Sequence, residues 1–181
     1  MNSPEFQLAS YTCSAAKEAD IPALEQLVNS AYRGEASKTG WTTEADILVG
    51  ARVTAVSLLK DINSDTALIY TCRNKQGQMD ACVFLQKKLD KLYVGMLSVS
   101  PGLQNKGIGK LLLQLADKVA IANDCTALTM TVISIRTELI AWYNRHGFLP
   151  TGETFPFNFP DAVVLVNEPL QFIVLQKVLA V

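Results

Sequence analysis

Leu97-Ser98-Val99-Ser100-Pro101-Gly102-Leu103-Gln104-Asn105-Lys106-Gly107-Ile108-Gly109-Lys110 carries a strand pattern through a proline-glycine turn and into a leucine-rich helix. A helix start leaves about four backbone N–H groups unpaired, and its aligned peptide dipoles place roughly half a positive charge there. Gly107 and Gly109 let an anion approach the main chain with no Cβ in the way, while Lys106 and Lys110 add charge. The segment therefore reads as a phosphate cradle. It is not a Walker loop, because no lysine and hydroxyl pair follows Gly107-Ile108. Nor is it a dinucleotide fingerprint, because Leu112 stands where the third glycine belongs. Read alone, the two glycines equally describe a tight strand-to-helix turn.

Downstream, the apolar face Leu111, Leu112, Leu115, Val119, Ala120 predicts a helix from Gly107 to Ala122. A strand over Ala127 to Ile133 and a short helix from Thr137 to Arg145 follow, the latter stopped at Gly147. Phe172 to Leu179 reads as a closing strand. Upstream, period-two runs at Ala67–Cys72 and Asp80–Leu85, joined through Asn74-Lys75-Gln76-Gly77, predict a hairpin, and Lys91 to Val99 a third strand. Leu8 to Cys13 is a weak first strand. Asp20 caps a helix that runs to Tyr32, with Pro22 in its first turn, and a second helical segment spans Leu48, Val53, Val56, Leu59 and Ile62. A hairpin meander joined to one βαβ unit implies a mixed α/β (α+β) architecture, its largely antiparallel central sheet of six to seven strands flanked by about four helices. Residues 8–181 form one expected domain, behind a loose segment 1–7.

The bulk numbers fit one domain. The chain has 181 residues, 49 % hydrophobic and 18 % charged, with 16 basic against 17 acidic side chains. A net charge of −1 draws the chain to neither nucleic acid nor an anionic membrane, so bound anions must be held locally. Cys13, Cys72, Cys82 and Cys125 show no CxxC pair and are expected as buried free thiols in a reducing compartment. With His146 the only histidine, no metal is expected. Met1 to Gln7 lacks the features of a signal, and no apolar run reaches membrane length, so a cytoplasmic protein is expected.

Together, Leu97-x-Val99, the proline-glycine turn and Gln104-Asn105-Lys106-Gly107-Ile108-Gly109 resemble motif A of the GNAT family of N-acetyltransferases. The strand and helix order from about Ala9 to Leu179 is similar to that family's order. The resemblance implies acetyl-CoA as co-substrate, its pyrophosphate on the amides of Gln104 to Lys110 and its pantetheine arm paired with Leu97 and Val99. It also implies that the strands at Met96 and Met130 splay apart around the thioester. Leu139-Ile140-Ala141-Trp142-Tyr143-Asn144-Arg145-His146-Gly147-Phe148 resembles motif B. In that motif a tyrosine four residues before Gly-Phe, here Tyr143, protonates the departing thiolate. A phenol of pKa about 10 suits that task, and core packing is the bland alternative. Trp142 is assigned to packing, and His146 to a helix cap before a base. Arg136 stands where many members carry a cofactor-contacting asparagine, and is a weak cofactor candidate.

The resemblance places a glutamate base on the strand that here reads Tyr93-Val94-Gly95-Met96-Leu97, which has none. The base is then Glu35, Glu44 or Glu153, or a held water. The loop Tyr32 to Asp46 borders the family's acceptor site, and Trp41 with Glu35 or Glu44 offers a cationic amine an aromatic face and a carboxylate. Thr43 and Asp46 read as a capping pair. Thr154-Phe155-Pro156-Phe157-Asn158-Phe159-Pro160 reads as packing. The expected function is acetyl transfer from acetyl-CoA to a small-molecule or peptide amine, by a monomer or homodimer. The alternative is a non-catalytic acyl-CoA-binding regulator on the same fold.

Overall fold

The computed structural model describes residues 1–158 and 163–179. In chain order the strands are β1 (Phe6–Leu8), β2 (Tyr11–Ala15), β3 (Leu48–Val49), β4 (Ala67–Arg73), β5 (Met79–Lys88), β6 (Lys91–Val99), β7 (Ala127–Ile133), β8 (Leu149–Pro156), β9 (Val163–Val164) and β10 (Gln171–Val178). The helices are α1 (Ile21–Tyr32), the single turn α2 (Gly34–Ser37), α3 (Ala55–Ile62), α4 (Ile108–Ala122) and α5 (Thr137–Asn144). The main sheet runs β1-β2-β4-β5-β6-β7-β10-β8, with β6 and β7 its one parallel pair among the described residues. β3 and β9 pair separately.

Eight strands replace the expected six to seven. One addition comes from Leu8, which closes a tight turn to Tyr11 instead of continuing to Cys13, so that Phe6–Leu8 pairs with β2. This brings the first residues, expected to be loose, into the sheet, and the Tyr70 hydroxyl donates to the Pro4 carbonyl at 2.9 Å. The other is β8, an exposed strand containing prolines and a glycine, which carries no apolar alternation to betray it. The second helical segment is also shorter than expected. Leu48–Val49 is extended, and the helix begins only at Ala55, behind Thr54, whose side chain accepts from the Ser57 amide at 3.2 Å.

The parity of β5 divides the core. Ala81, Val83 and Leu85 face α4, packing with Leu112, Leu115, Ala116 and Val119. Cys82 faces the other way, onto Leu24, Leu27 and Val28 of α1 and Leu58 of α3. In β6, Leu92 and Val94 also lie on the α4 side, yet Met96 lies with α1 and α3. A bulge explains the switch. Cys82 pairs with Ser98 and Phe84 with Gly95, so β6 holds one extra residue there, and Met96 takes the left-handed φ of 48°.

The cysteine expectation is corrected for two of the four. Cys13 and Cys72 face each other across β2 and β4 and form a disulfide, because antiparallel pairing brings their Cα atoms to 4.2 Å. Cys82 and Cys125 are free and buried. Free thiols thus no longer argue for a reducing compartment. Among the described residues no helix is long and apolar enough to cross a membrane.

Candidate active site

The parallel ladder between β6 and β7 stops early. Its pairs are Lys91 with Ala127, Leu92 with Leu128 and Tyr93 with Thr129. One side-chain link follows, the Tyr93 hydroxyl on Thr131 Oγ1 at 2.9 Å, and then the bulge at Met96 bends β6 away. Two cavities flank the split, of about 310 Å³ and about 520 Å³. Tyr32, Leu97, Leu139 and Tyr143 line both, so the two cavities meet at these four side chains.

The smaller cavity lies at the start of α4. Gly107 is the N-cap residue at φ 82°, a conformation that a Cβ would strain, and no side chain caps the helix. Its opening amides therefore have no side-chain acceptor. Asn105, Gly107, Gly109 and Lys110 line this cavity together with Leu97 and Val99. Ile108 is buried in the core and Lys106 is exposed, and neither is among the lining residues. Gln104 also lines the cavity, and its side chain ties two loops together. Its Oε1 accepts from the Trp41 amide at 2.9 Å and its Nε2 donates to Thr42 Oγ1 at 2.8 Å and to the Val99 carbonyl at 3.2 Å. It buckles this loop to the loop after α1. Gly40 makes room for the buckle, since a Cβ there would lie 2.5 Å from Gln104 Oε1.

Trp41 also faces this smaller cavity, its ring 5.9 Å from that of Trp142. Trp142 does more than pack: it forms part of the wall, within 3.4 Å of a Cβ built on Gly109. His146 stacks on Trp142 at 4.3 Å and its Nδ1 lies 2.8 Å from the Trp142 carbonyl. It stands on this side and away from the larger cavity.

The larger cavity holds a cluster of charges from three parts of the chain. Glu44 is 9 % exposed and sits between two guanidinium groups. Arg33 Nη1 contacts its Oε2, and Arg136 Nη1 lies 3.2 Å from its Oε1. Glu44 is thus occupied and does not stand free for a cationic amine. Arg136 lies here, on the far side of Tyr143 from the α4 cradle and away from the cofactor position considered for it. Arg52 lies 5.6 Å over the Tyr32 ring, and has no ion pair or side-chain hydrogen bond among the described residues. Glu35 is on α2, exposed and paired with Lys38 at 2.7 Å, outside both cavities, and Glu153 is exposed on β8. Thr43 closes a local turn, its Oγ1 accepting from the Ala45 amide at 3.1 Å, while Asp46 is exposed. Phe157 lines this cavity beside Phe172, and Phe159 and Pro160 lie outside the described residues.

Tyr143 is 7 % exposed at the junction. Burial pushes its pKa up, with a further push from nearby Tyr32. Its hydroxyl has no hydrogen-bond partner among the described residues. Burial also pushes Tyr32 up to about 12, and the Tyr32 hydroxyl donates to the Leu97 carbonyl at 2.7 Å. Tyr32, Arg33 and Arg52 are wall residues that sequence reasoning did not pick out. The one signal was Tyr32-Arg33 at the junction of α1 with the long loop.

The comparisons with known proteins bear on the fold and the family. Solved structures that share the fold include three acetyltransferases. The ribosomal-protein-S18-alanine N-acetyltransferase from Escherichia coli aligns with a TM-score of 0.71 at 16% identity, over 94% of this chain and 95% of that one. A mutant form of the spermidine/spermine N-acetyltransferase SpeG from Vibrio cholerae aligns at 0.69 and 12% identity, over 94% and 95%. An IAA acetyltransferase from Bacillus cereus aligns at 0.64 and 16% identity, over 94% and 100%. No curated protein matches the chain significantly. The family of GNAT acetyltransferases matches residues 24–148, most of the chain and all of the α4 cradle, and the protein is a member of that family.

Proposed function

We propose that the chain is an acetyl-CoA-dependent N-acetyltransferase that passes the acetyl group to a primary amine by direct attack on the thioester. The observation that carries this reading is the uncapped, glycine-flanked start of α4 opening on a cavity that meets a second cavity at Tyr143. The cradle residues fit the coenzyme: three successive amides from Ile108, with Lys110 beside them, suit a pyrophosphate. The stretch of β6 at Leu97 and Val99, which pairs with β5 but has left β7, suits an extended amide-bearing arm. The coenzyme supplies an activated acyl group on a thiol leaving group.

The residues of the chain do the rest. The amide of Leu97 or Val99 helps to hold the carbonyl oxygen as it gains charge. Tyr143, kept neutral by its burial, delivers a proton to the departing sulfur. The same burial raises the thiolate's affinity for a proton, so the transfer stays matched. With Glu44 held by two guanidiniums, the amine loses its proton to water and not to a wall carboxylate.

Calorimetric titration with acetyl-CoA tests the reading. Saturable binding is expected for the native chain and none for a folded Gly107→Glu, Gly109→Glu variant. Equal binding by both would show that the cradle is turn chemistry alone.

A further inference from the structure

The charges around the larger cavity do not suit a polycation. Arg33, Arg52 and Arg136 line it with Glu44 as the one carboxylate among the described lining residues. Three positive charges against one negative leave two in excess. The Glu44 charge is already offset by two arginines, one facing each of its oxygens. A wall with this balance repels polyamines and attracts oxyanions.

Donors are also left over. The buried Nε of Arg33 has no acceptor among the described residues. Arg136 donates to Glu44 through Nη1 alone, and the Arg52 guanidinium donates to no group among the described residues. A guanidinium carries five N–H donors in a planar fork that matches a carboxylate or phosphate. Arg52 is moreover held in place. Asn29 Oδ1 accepts from the amides of Arg52 at 2.7 Å and Val53 at 3.2 Å, and Asn29 Nδ2 donates to the Val53 carbonyl at 3.1 Å. Three hydrogen bonds from one α1 side chain thus set the Arg52 backbone beside the cavity, while Tyr32 supports the guanidinium from below.

We infer that the acceptor is an amine carrying an oxyanion, a carboxylate or a phosphate, which Arg52 and the free donors of Arg33 and Arg136 hold while its amine points at the Tyr143 junction. Val53, Met96, Met130, Ile133 and Leu139 supply an apolar floor for the remainder of the molecule. This inference rests on the transferase reading and narrows its acceptor.

The test uses matched probes: L-phenylalanine against L-phenylalaninamide, phosphoethanolamine against ethanolamine, and spermidine. Binding is measured by calorimetry on the CoA-loaded protein and on the cofactor-free protein, so neither turnover nor coenzyme binding is required. At least one oxyanion probe is expected to bind about tenfold or more above the partner that lacks the oxyanion, the size of one lost charge-assisted contact. The pair that discriminates identifies carboxylate or phosphate. Arg52→Gln is expected to erase most of that ratio with CoA affinity unchanged, and Arg52→Lys to restore part of it. Equal binding within both pairs, tighter binding of spermidine, or no binding of any probe overturns the inference. Failure of the acetyl-CoA titration would instead remove the transferase reading and leave the probe result standing by itself.

Discussion

Around the start of α4 one continuous run, Leu97 to Lys110, supplies main chain and glycine, with Trp41, Trp142 and His146 closing the wall, whereas across Tyr143 the wall is guanidinium and carboxylate from residues as distant as Arg33 and Arg136. The first plan binds through peptide N–H groups that exist in every protein, and needs glycine only to clear the approach. The second binds through side chains whose charges are matched by folding. A main-chain cradle tolerates sequence drift at most positions. A side-chain cluster changes its preference with a single substitution, which suits one coenzyme site shared among proteins with many acceptors.

Three experiments would break or sharpen that contrast. The largest expected effect is at the junction: we predict that Tyr143→Phe lowers kcat by about 10²–10⁴ with acetyl-CoA affinity unchanged, measured by CoA release and calorimetry. A parallel loss of coenzyme affinity would assign Tyr143 to the coenzyme wall instead. Next comes the charge cluster. Glu44→Gln leaves Arg33 and Arg136 facing each other without a counter-charge, at a predicted cost of about 3 kcal/mol in urea unfolding. A change under about 1 kcal/mol would mean that water screens the pair well enough to make Glu44 dispensable. The smallest effect is at the buckle. Gly40→Ala pushes the flexible end of Gln104 aside and should cost about 1 kcal/mol through its hydrogen bonds to the neighbouring loop. Acetyl-CoA affinity should change little, because the amides of α4 do not depend on Gln104. A large loss of affinity would show that the two walls are not independent.

The sequence showed the first wall plainly and the second poorly, for the same physical reason. Strand, turn, glycines and helix are consecutive from Leu97 to Ala122, so local pattern suffices. The motif resemblance also led to Tyr143, since its place before Gly147-Phe148 is local. Glu44 and Arg136 are ninety-two residues apart, and nothing local says that they touch. Read locally, Glu44 suits a cationic amine or a general base and Arg136 the coenzyme, and only the fold shows that the two pair with each other. Gln104 illustrates the reverse problem: it belongs to the motif by position, but its side chain serves the fold. Strand β8 was invisible because an exposed edge strand need not alternate, and the β6 bulge because Met96 looks like any other apolar strand residue.

The disulfide between Cys13 and Cys72 closes a loop with a sequence separation of 59. That loop contains Tyr32, Arg33, Trp41, Glu44 and Arg52, and leaves the Leu97 to Lys110 cradle outside it. Chain-entropy arguments assign such a closure about 4 kcal/mol, arising from conformations withheld from the unfolded chain. The covalent restraint therefore falls on the segment that brings Arg33, Glu44 and Arg52 to the larger cavity, and not on Arg136. A reductant that leaves the coenzyme cradle intact would let the acceptor wall sample many more arrangements before it refolds.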